Sequence, residues 1–243
     1  MSPTAFLLVL AVGALIGAVG IGGFLLVPVL VFLEGRPLRE AVIAATVSFA
    51  GSGLVSLLVS LRQGTLVSPG SRAFLVATPA GALAGALLLR MISGTTIALL
   101  IAFAVGLAGV ADLFGLPRAR LRSTGALRAM MNGLVTGIGS ALTGTSGPLI
   151  GMPLLAGSGV PIVERIRIAQ VAQLPIAATA TAVFLAAGDI RWTAAAVSAL
   201  ALALGAILGM RLATALAPVV LRRASALLMI VTALGMLASA FIS

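Results

Sequence analysis

The groups that could do chemistry in this chain are hydroxyls, side-chain amides and glycine-rich backbone, because the usual reactive side chains are missing. The 243 residues include no Cys, His or Tyr, which removes thiolates, imidazole metal sites and His-based triads together. The remaining groups concentrate at two places, Gly17-Ala-Val-Gly20-Ile-Gly22-Gly23 and Thr143-Gly144-Thr145-Ser146-Gly147-Pro148. Glycine admits backbone angles that other residues resist, so each cluster is expected to interrupt a helix. A helix that restarts after a break presents unpaired amide donors and partial positive charge, and Thr143, Thr145 and Ser146 place hydroxyls beside them. Pro148 suits the first turn of such a helix, where its missing donor costs nothing. This combination binds anions. It offers no nucleophile or general base, so no enzymatic activity, cofactor or metal is expected.

Composition identifies the elements that must carry these groups. The chain is 61% hydrophobic and 8% charged, against about 25% charged in a soluble domain. Its apolar runs follow one another at linker distance, leaving no room for a soluble domain between them. An all-α integral membrane protein is expected, in contact with the lipid bilayer. All fifteen basic residues are Arg, and the net charge is +10. They stand singly or in small groups between apolar runs rather than on one polar face. That pattern reads as topology and head-group contact, not nucleic-acid binding. The first apolar stretch, from about Ala5 to Leu33, exceeds a signal-peptide core and is expected to stay.

Eight apolar segments can be read, at 4–33, 39–61, 73–90, 95–115, 129–157, 166–187, 192–210 and 219–242. Shifted by 124 residues, the chain falls on itself without a gap: Gly13, Gly20, Gly23, Gly35, Gly64, Gly81 and Gly85 meet Gly137, Gly144, Gly147, Gly159, Gly188, Gly205 and Gly209. Sixteen glycines in 1–119 and thirteen in 125–243 would give about two coincidences by chance, so seven point to a duplicated unit. The two repeats are expected at 1–119 and 125–243, each a broken segment followed by three transmembrane helices.

The broken segments, 4–33 and 129–157, are about 30 residues long, whereas a spanning helix needs about 20. If all eight segments cross, the two sides receive 7 and 8 Arg, which is no bias. If the broken segments dip in and return as re-entrant hairpins, the sides receive 11 and 4. The second count restores the positive-inside pattern. It also leaves three crossings per repeat, so the second repeat is inverted, and it puts both termini outside the cytoplasm. From Gly23 to Leu33 is about 15 Å of helix, half of a ~30 Å hydrocarbon core, which sets the breaks near the midplane.

The candidate substrate-binding residues are therefore Gly20, Gly22, Gly23, Thr143, Gly144, Thr145, Ser146 and Gly147, with Thr46, Ser48, Gln170 and Gln173 on the following helices. For Thr46 and Gln170, which coincide under the shift, helix–helix bonding and donation to an anion both remain open. The Gly13/Gly17, Gly133/Gly137, Gly81/Gly85 and Gly205/Gly209 pairs read as close helix packing. Glu40 and Glu164 suit helix N-termini, and neither Asp112 nor Asp189 falls at mid-membrane. Trp192 reads as an interfacial anchor, and Pro175 as a kink in its helix.

These residues resemble the sulfite exporter TauE/SafE family of two-repeat membrane proteins. The features that carry the likeness are Gly17-Ala-Val-Gly20-Ile-Gly22-Gly23 followed by Pro28-Val-Leu30, Ala45-Thr46-Val-Ser48, and a second copy, Gly144-Thr-Ser-Gly147 with Pro153-Leu-Leu155. The resemblance covers almost the whole chain. It implies movement of a small anion such as sulfite, a sulfonate or a related organosulfur species across the cytoplasmic membrane, with the two breaks and the Thr46/Gln170 region as its path. The second copy departs from the pattern, with Thr-Ser-Gly-Pro in place of a glycine run and Gln170 and Ala172 in place of the Thr/Ser pair. A secondary transporter, in the direction of export, is the expectation. A passive channel using the same helix tips and a non-transporting scaffold are the alternatives.

Overall fold

The computed structural model describes residues 1–63, 69–114, 125–157, 160–212 and 218–242. Gly64, Gly159, Arg118, Arg120, Arg122 and the side chain of Asp112 lie outside the described residues. Every element among the described residues is helical. Short Gly and Pro connections separate long apolar runs, as an all-α membrane chain requires.

Helix α1 (Pro3–Val19) ends at the Gly20–Gly22 break. After it comes α2 (Gly23–Leu33), tight at its start and widened to π geometry over Val29–Leu33. Pro28 removes one backbone donor just before that widening. The long helices α3 (Leu38–Arg62), α4 (Pro69–Met91) and α5 (Gly94–Leu113) complete the first half. The second half opens with α6 (Ala126–Thr143) and α7 (Gly147–Gly157). It continues with α8 (Ile162–Val171), α9 (Gln173–Ala186), α10 (Trp192–Leu212) and α11 (Pro218–Ile242). The starts of α2, α3 and α5, moved by 124 residues, are those of α7, α8 and α11.

The α8/α9 interruption at Ala172 has a local cause. Pro175 cannot donate to the carbonyl four residues back, that of Val171, so the ladder opens there. At the matching position, 51, the first half has Gly, and α3 runs unbroken. Among the described residues, five stretches are long and apolar enough to span a bilayer: Leu38–Arg62, Arg72–Met91, Gly94–Ala111, Val163–Ala186 and Trp192–Leu212. The last helix is 25 residues long, and its described apolar stretch is Ser225–Phe241.

Both broken segments turn back on themselves. The Ser2 amide and hydroxyl, at the head of α1, donate to Glu34 Oε1, just past α2, at 2.8 and 2.9 Å. In the second half, Asn132 Nδ2 of α6 donates to the Leu154 carbonyl of α7 at 3.3 Å. Each pair is thus a helical hairpin whose second arm is about 16 Å long.

The hairpins are held by the opposite half. A Cβ built on Gly13 would lie 2.6 Å from the Leu202 carbonyl oxygen, and Gly17 abuts Ala206, so α1 and α10 run parallel in close contact. Gly81 and Gly85 of α4 abut Leu134 and Ile138 of α6, and Gly137 abuts Thr78. These positions match the first set residue for residue under the 124 shift, with Gly205 against Leu10 and Gly209 against Ala14. Lipid provides no hydrophobic drive for helix association, so backbone approach through small residues supplies the dispersion contact instead. The packing roles expected for these glycines are what the structure shows. In contrast, α3 runs antiparallel to the α8–α9 stretch, as α5 does to α11: Ser52 meets Gln173 of α9 while Ser56 meets Gln170 of α8, and Gly106 meets Ala233 while Gly109 meets Met229. Large apolar side chains such as Leu83, Leu87, Leu204, Leu208 and Val231 point outward, as lipid contact demands.

Candidate functional site

The two hairpin tips meet inside the bundle. Gly20 caps α1 in the left-handed conformation, φ 81°, its amide donating to the Ile16 carbonyl at 2.9 Å. Gly144 caps α6 in the same way, φ 61°, donating to Ser140 at 3.0 Å. This conformation is costly for residues with a Cβ, which explains why glycine stands at both. Beyond the caps, α2 and α7 begin, and their first amides have no partner within the helix. Gly23 touches Ser146, and a Cβ on Gly23 would lie 2.7 Å from Ser146 Oγ and from Phe49 Cε1. Gly147 faces the Ala169 carbonyl, 3.1 Å from a built Cβ, and the Gln173 side chain. Gly22 packs on Leu15 of its own hairpin.

Polar atoms converge on this point. Gln173 Oε1 accepts from Ser52 Oγ at 3.0 Å, which turns its amide nitrogen away; Gln173 Nε2 has no partner. Ser146 Oγ is also unpartnered, although Ser146 is 0% and Gln173 1% exposed. Leaving a buried donor unsatisfied costs about 1–3 kcal/mol, so these two, one on the residue before Gly147 and the other on a side chain packed against Gly147, mark a place where a ligand would replace the missing partner. Ser140 Oγ, one turn before Gly144, is orphaned as well. Thr143 and Thr145 are bonded to each other at 2.7 Å, and Thr143 to the Gly139 carbonyl.

The remaining expected residues divide. Gln170 is buried and bridges the halves, donating to the Ile16 carbonyl at 2.7 Å and accepting from Ser56 Oγ at 3.4 Å. Thr46 shares a helical face with Val42, Phe49 and Gly53, but its hydroxyl proton is committed to the Val42 carbonyl at 2.8 Å. Ser48 bonds the Ala44 and Ala195 carbonyls at 2.6 and 3.0 Å and so serves the α3–α10 contact away from the tips. Sequence reasoning missed Ser140 and Phe49. Both look like ordinary helix residues until the tips are assembled, although Phe49 does coincide with Gln173 under the 124 shift.

Charged groups lie at the helix ends. Arg90 pairs with Asp189 at 3.3 Å, Arg191 with Glu40 at 3.6 Å, and Arg39 donates to the Ile92 carbonyl at 2.7 Å. These contacts gather the ends of α4 and α9 and the starts of α3, α5 and α10 at one end of the bundle. Glu34 is at that end too, its carboxyl held below the usual range first by the Ser2 backbone hydrogen bond, against some burial, with the Ser2 hydroxyl and nearby positive charge adding to the effect. No group of three or more His, Cys, Asp or Glu that could hold a metal ion occurs among the described residues.

Residues 5–236 match the family described as Sulfite exporter TauE/SafE. No curated protein and no solved structure matches the chain significantly.

Proposed function

Because the chain belongs to the sulfite exporter TauE/SafE family, we propose that it is a secondary transporter that exports a small oxidised-sulfur anion, sulfite, a sulfonate or a related organosulfur species, across the cytoplasmic membrane. The observation that carries this reading is the buried meeting of two half-helix N-termini at Gly23 and Ser146, with Ser146 Oγ and Gln173 Nε2 unpartnered beside them. Amide tips, a hydroxyl and an amide there would replace the anion's hydration shell.

The same reading makes the halves inverted repeats, 1–119 and 125–243. Its support is the order of helix directions: α1 parallel to α10, α6 parallel to α4, and α3 antiparallel to the α8–α9 stretch. With both first segments returning, each half crosses three times, and both termini fall on the side away from the cytoplasm, the side with Arg36, Arg39, Arg90 and Arg191. Since Ser146 and Gln173 are both buried, access from either side requires one hairpin and its partner helices to rock against the other.

The test is counterflow in proteoliposomes loaded with sulfite or methanesulfonate. Saturable uptake accelerated by the same anion on the far side is expected. Flux without saturation or counterflow would make the protein a channel, and no anion flux at all would sink the transport reading.

A further inference from the structure

We infer that the rocking motion is one-sided: the body made of α4, α6 and α7 moves, while the body made of α1, α2 and α10 stays fastened to a frame of α3 and the α8–α9 stretch. The inference rests on the transport reading above and concerns only which part of the molecule moves.

Contacts define the three parts. In the frame, Ser52 Oγ donates to Gln173 Oε1 at 3.0 Å and Ser56 Oγ to Gln170 Oε1 at 3.4 Å. Gly13 and Gly17 seat α1 on α10, and Gly81 and Gly85 seat α4 on α6. Equivalent halves would fasten both bodies to the frame alike.

The first body is fastened by three buried contacts. Gln170 Nε2 donates to the Ile16 carbonyl of α1 at 2.7 Å. Ser48 Oγ donates to the Ala195 carbonyl of α10 at 3.0 Å. Gly51 of α3 abuts the Ala199 carbonyl of α10, an approach that only a residue without a Cβ permits.

Under the 124-residue shift Gln170, Ser48 and Gly51 correspond to Thr46, Ala172 and Pro175, and none of these can fasten the second body in the same way. The Thr46 hydroxyl proton goes to Val42 of its own helix at 2.8 Å. Ala172 has no side-chain donor, and the ring of Pro175 keeps a neighbouring backbone at a distance. The counterpart of Ile16 is Ser140, whose hydroxyl is unpartnered although the residue is 2% exposed.

The contacts that the second body does make with the frame are of another kind. Gly144 lies on Val42 and Gly147 faces the Ala169 carbonyl, packing contacts that part without breaking a hydrogen bond. Moving the first body would instead pull the Ile16 carbonyl away from the buried Gln170 amide. The surface does not offset this difference. Each body has one partly exposed ion pair to the frame side, Arg90 with Asp189 for the second and Arg191 with Glu40 for the first, and such pairs hold little.

Those two ion pairs give the experiment its sites. The full chain contains no Cys, so introduced thiols react alone. Glu40→Cys with Arg191→Cys, and separately Arg90→Cys with Asp189→Cys, are joined by a short bifunctional methanethiosulfonate in proteoliposomes, and sulfite counterflow is measured before cross-linking, after it and after reduction. Size-exclusion chromatography confirms the fold of each variant. The first cross-link is expected to leave at least about half of the flux. The second is expected to lower it at least about tenfold, with recovery on reduction. Equal losses, a loss confined to the first pair, or flux that survives both cross-links would overturn the inference and leave the transport reading intact. Absence of sulfite flux from the wild type and from both reduced variants would remove the transport reading and this inference with it.

Discussion

Gly23 of one hairpin and Ser146 of the other touch so closely that no side chain fits between them, and Phe49 closes the remaining side 2.7 Å from where a Cβ on Gly23 would lie. This contact joins the two halves at the candidate site. Gly23→Ala is therefore expected to displace the start of α2 from that of α7. Overpacking of this kind costs about 1–3 kcal/mol, and transport should fall more than about tenfold, because binding depends on the geometry of both tips. Initial uptake rates beside thermal midpoints in detergent check it. A variant with wild-type flux would show that the tips need not touch.

The helix caps separate backbone strain from crowding. Gly35 has φ 62° with nothing within 4 Å of a built Cβ, whereas Gly144 has φ 61° and a built Cβ 2.9 Å from Val42 Cα. Gly35→Ala should cost about 1–2 kcal/mol from the left-handed conformation alone. Gly144→Ala should cost more, because the Val42 backbone cannot move aside. Equal losses of thermal midpoint in the two variants would refute the crowding at Gly144.

Thr46 and Gln170 occupy matching positions but are expected to respond differently. Thr46→Val removes a hydroxyl that bonds only its own helix at Val42, so transport should change less than about twofold. Gln170→Ala removes a hydrogen bond that ties the two halves at the Ile16 carbonyl, which keeps the Gly20 amide as its other donor, at a cost of about 0.5–1.5 kcal/mol. Midpoints and uptake rates for both variants decide this; a large transport loss in Thr46→Val would put that hydroxyl in the substrate path.

Glu34 gives the first hairpin a pH dependence. Its carboxyl is held below its ordinary value by Ser2, so its contribution to stability is complete above the unfolded-state value and disappears as pH falls through the lower folded-state value. Wild type and Glu34→Gln should therefore differ in thermal midpoint at neutral pH and converge in acid. A gap that persists at low pH would assign the effect to packing instead.

Much of this arrangement was legible in the sequence for physical reasons. Gly20 and Gly144 stood out because a left-handed cap selects glycine, and the hairpins because Arg is distributed by topology. Gln173 was visible as an amide in an apolar run, and Pro175 as the break in its helix. The pairing of α1 with α10 and of α6 with α4 was not legible. Small residues at four-residue spacing announce that a helix packs closely without naming its partner. Ser140 and Phe49 were hidden for a related reason: an orphaned hydroxyl and a ring edge acquire meaning only when chain segments about 100 residues apart are brought together.

The interlocked packing also sets an order of events at the ribosome. Gly13 abuts the carbonyl of Leu202, so its docking surface is synthesised 189 residues later, roughly 10–40 s at typical elongation rates. For that interval the newborn first hairpin has no α10 to lean on, and its small-residue stripe faces lipid or the insertion machinery. Truncated chains ending before Trp192 should then be far better substrates for membrane proteases than the finished protein, whereas the α6 hairpin emerges with α4 already in place.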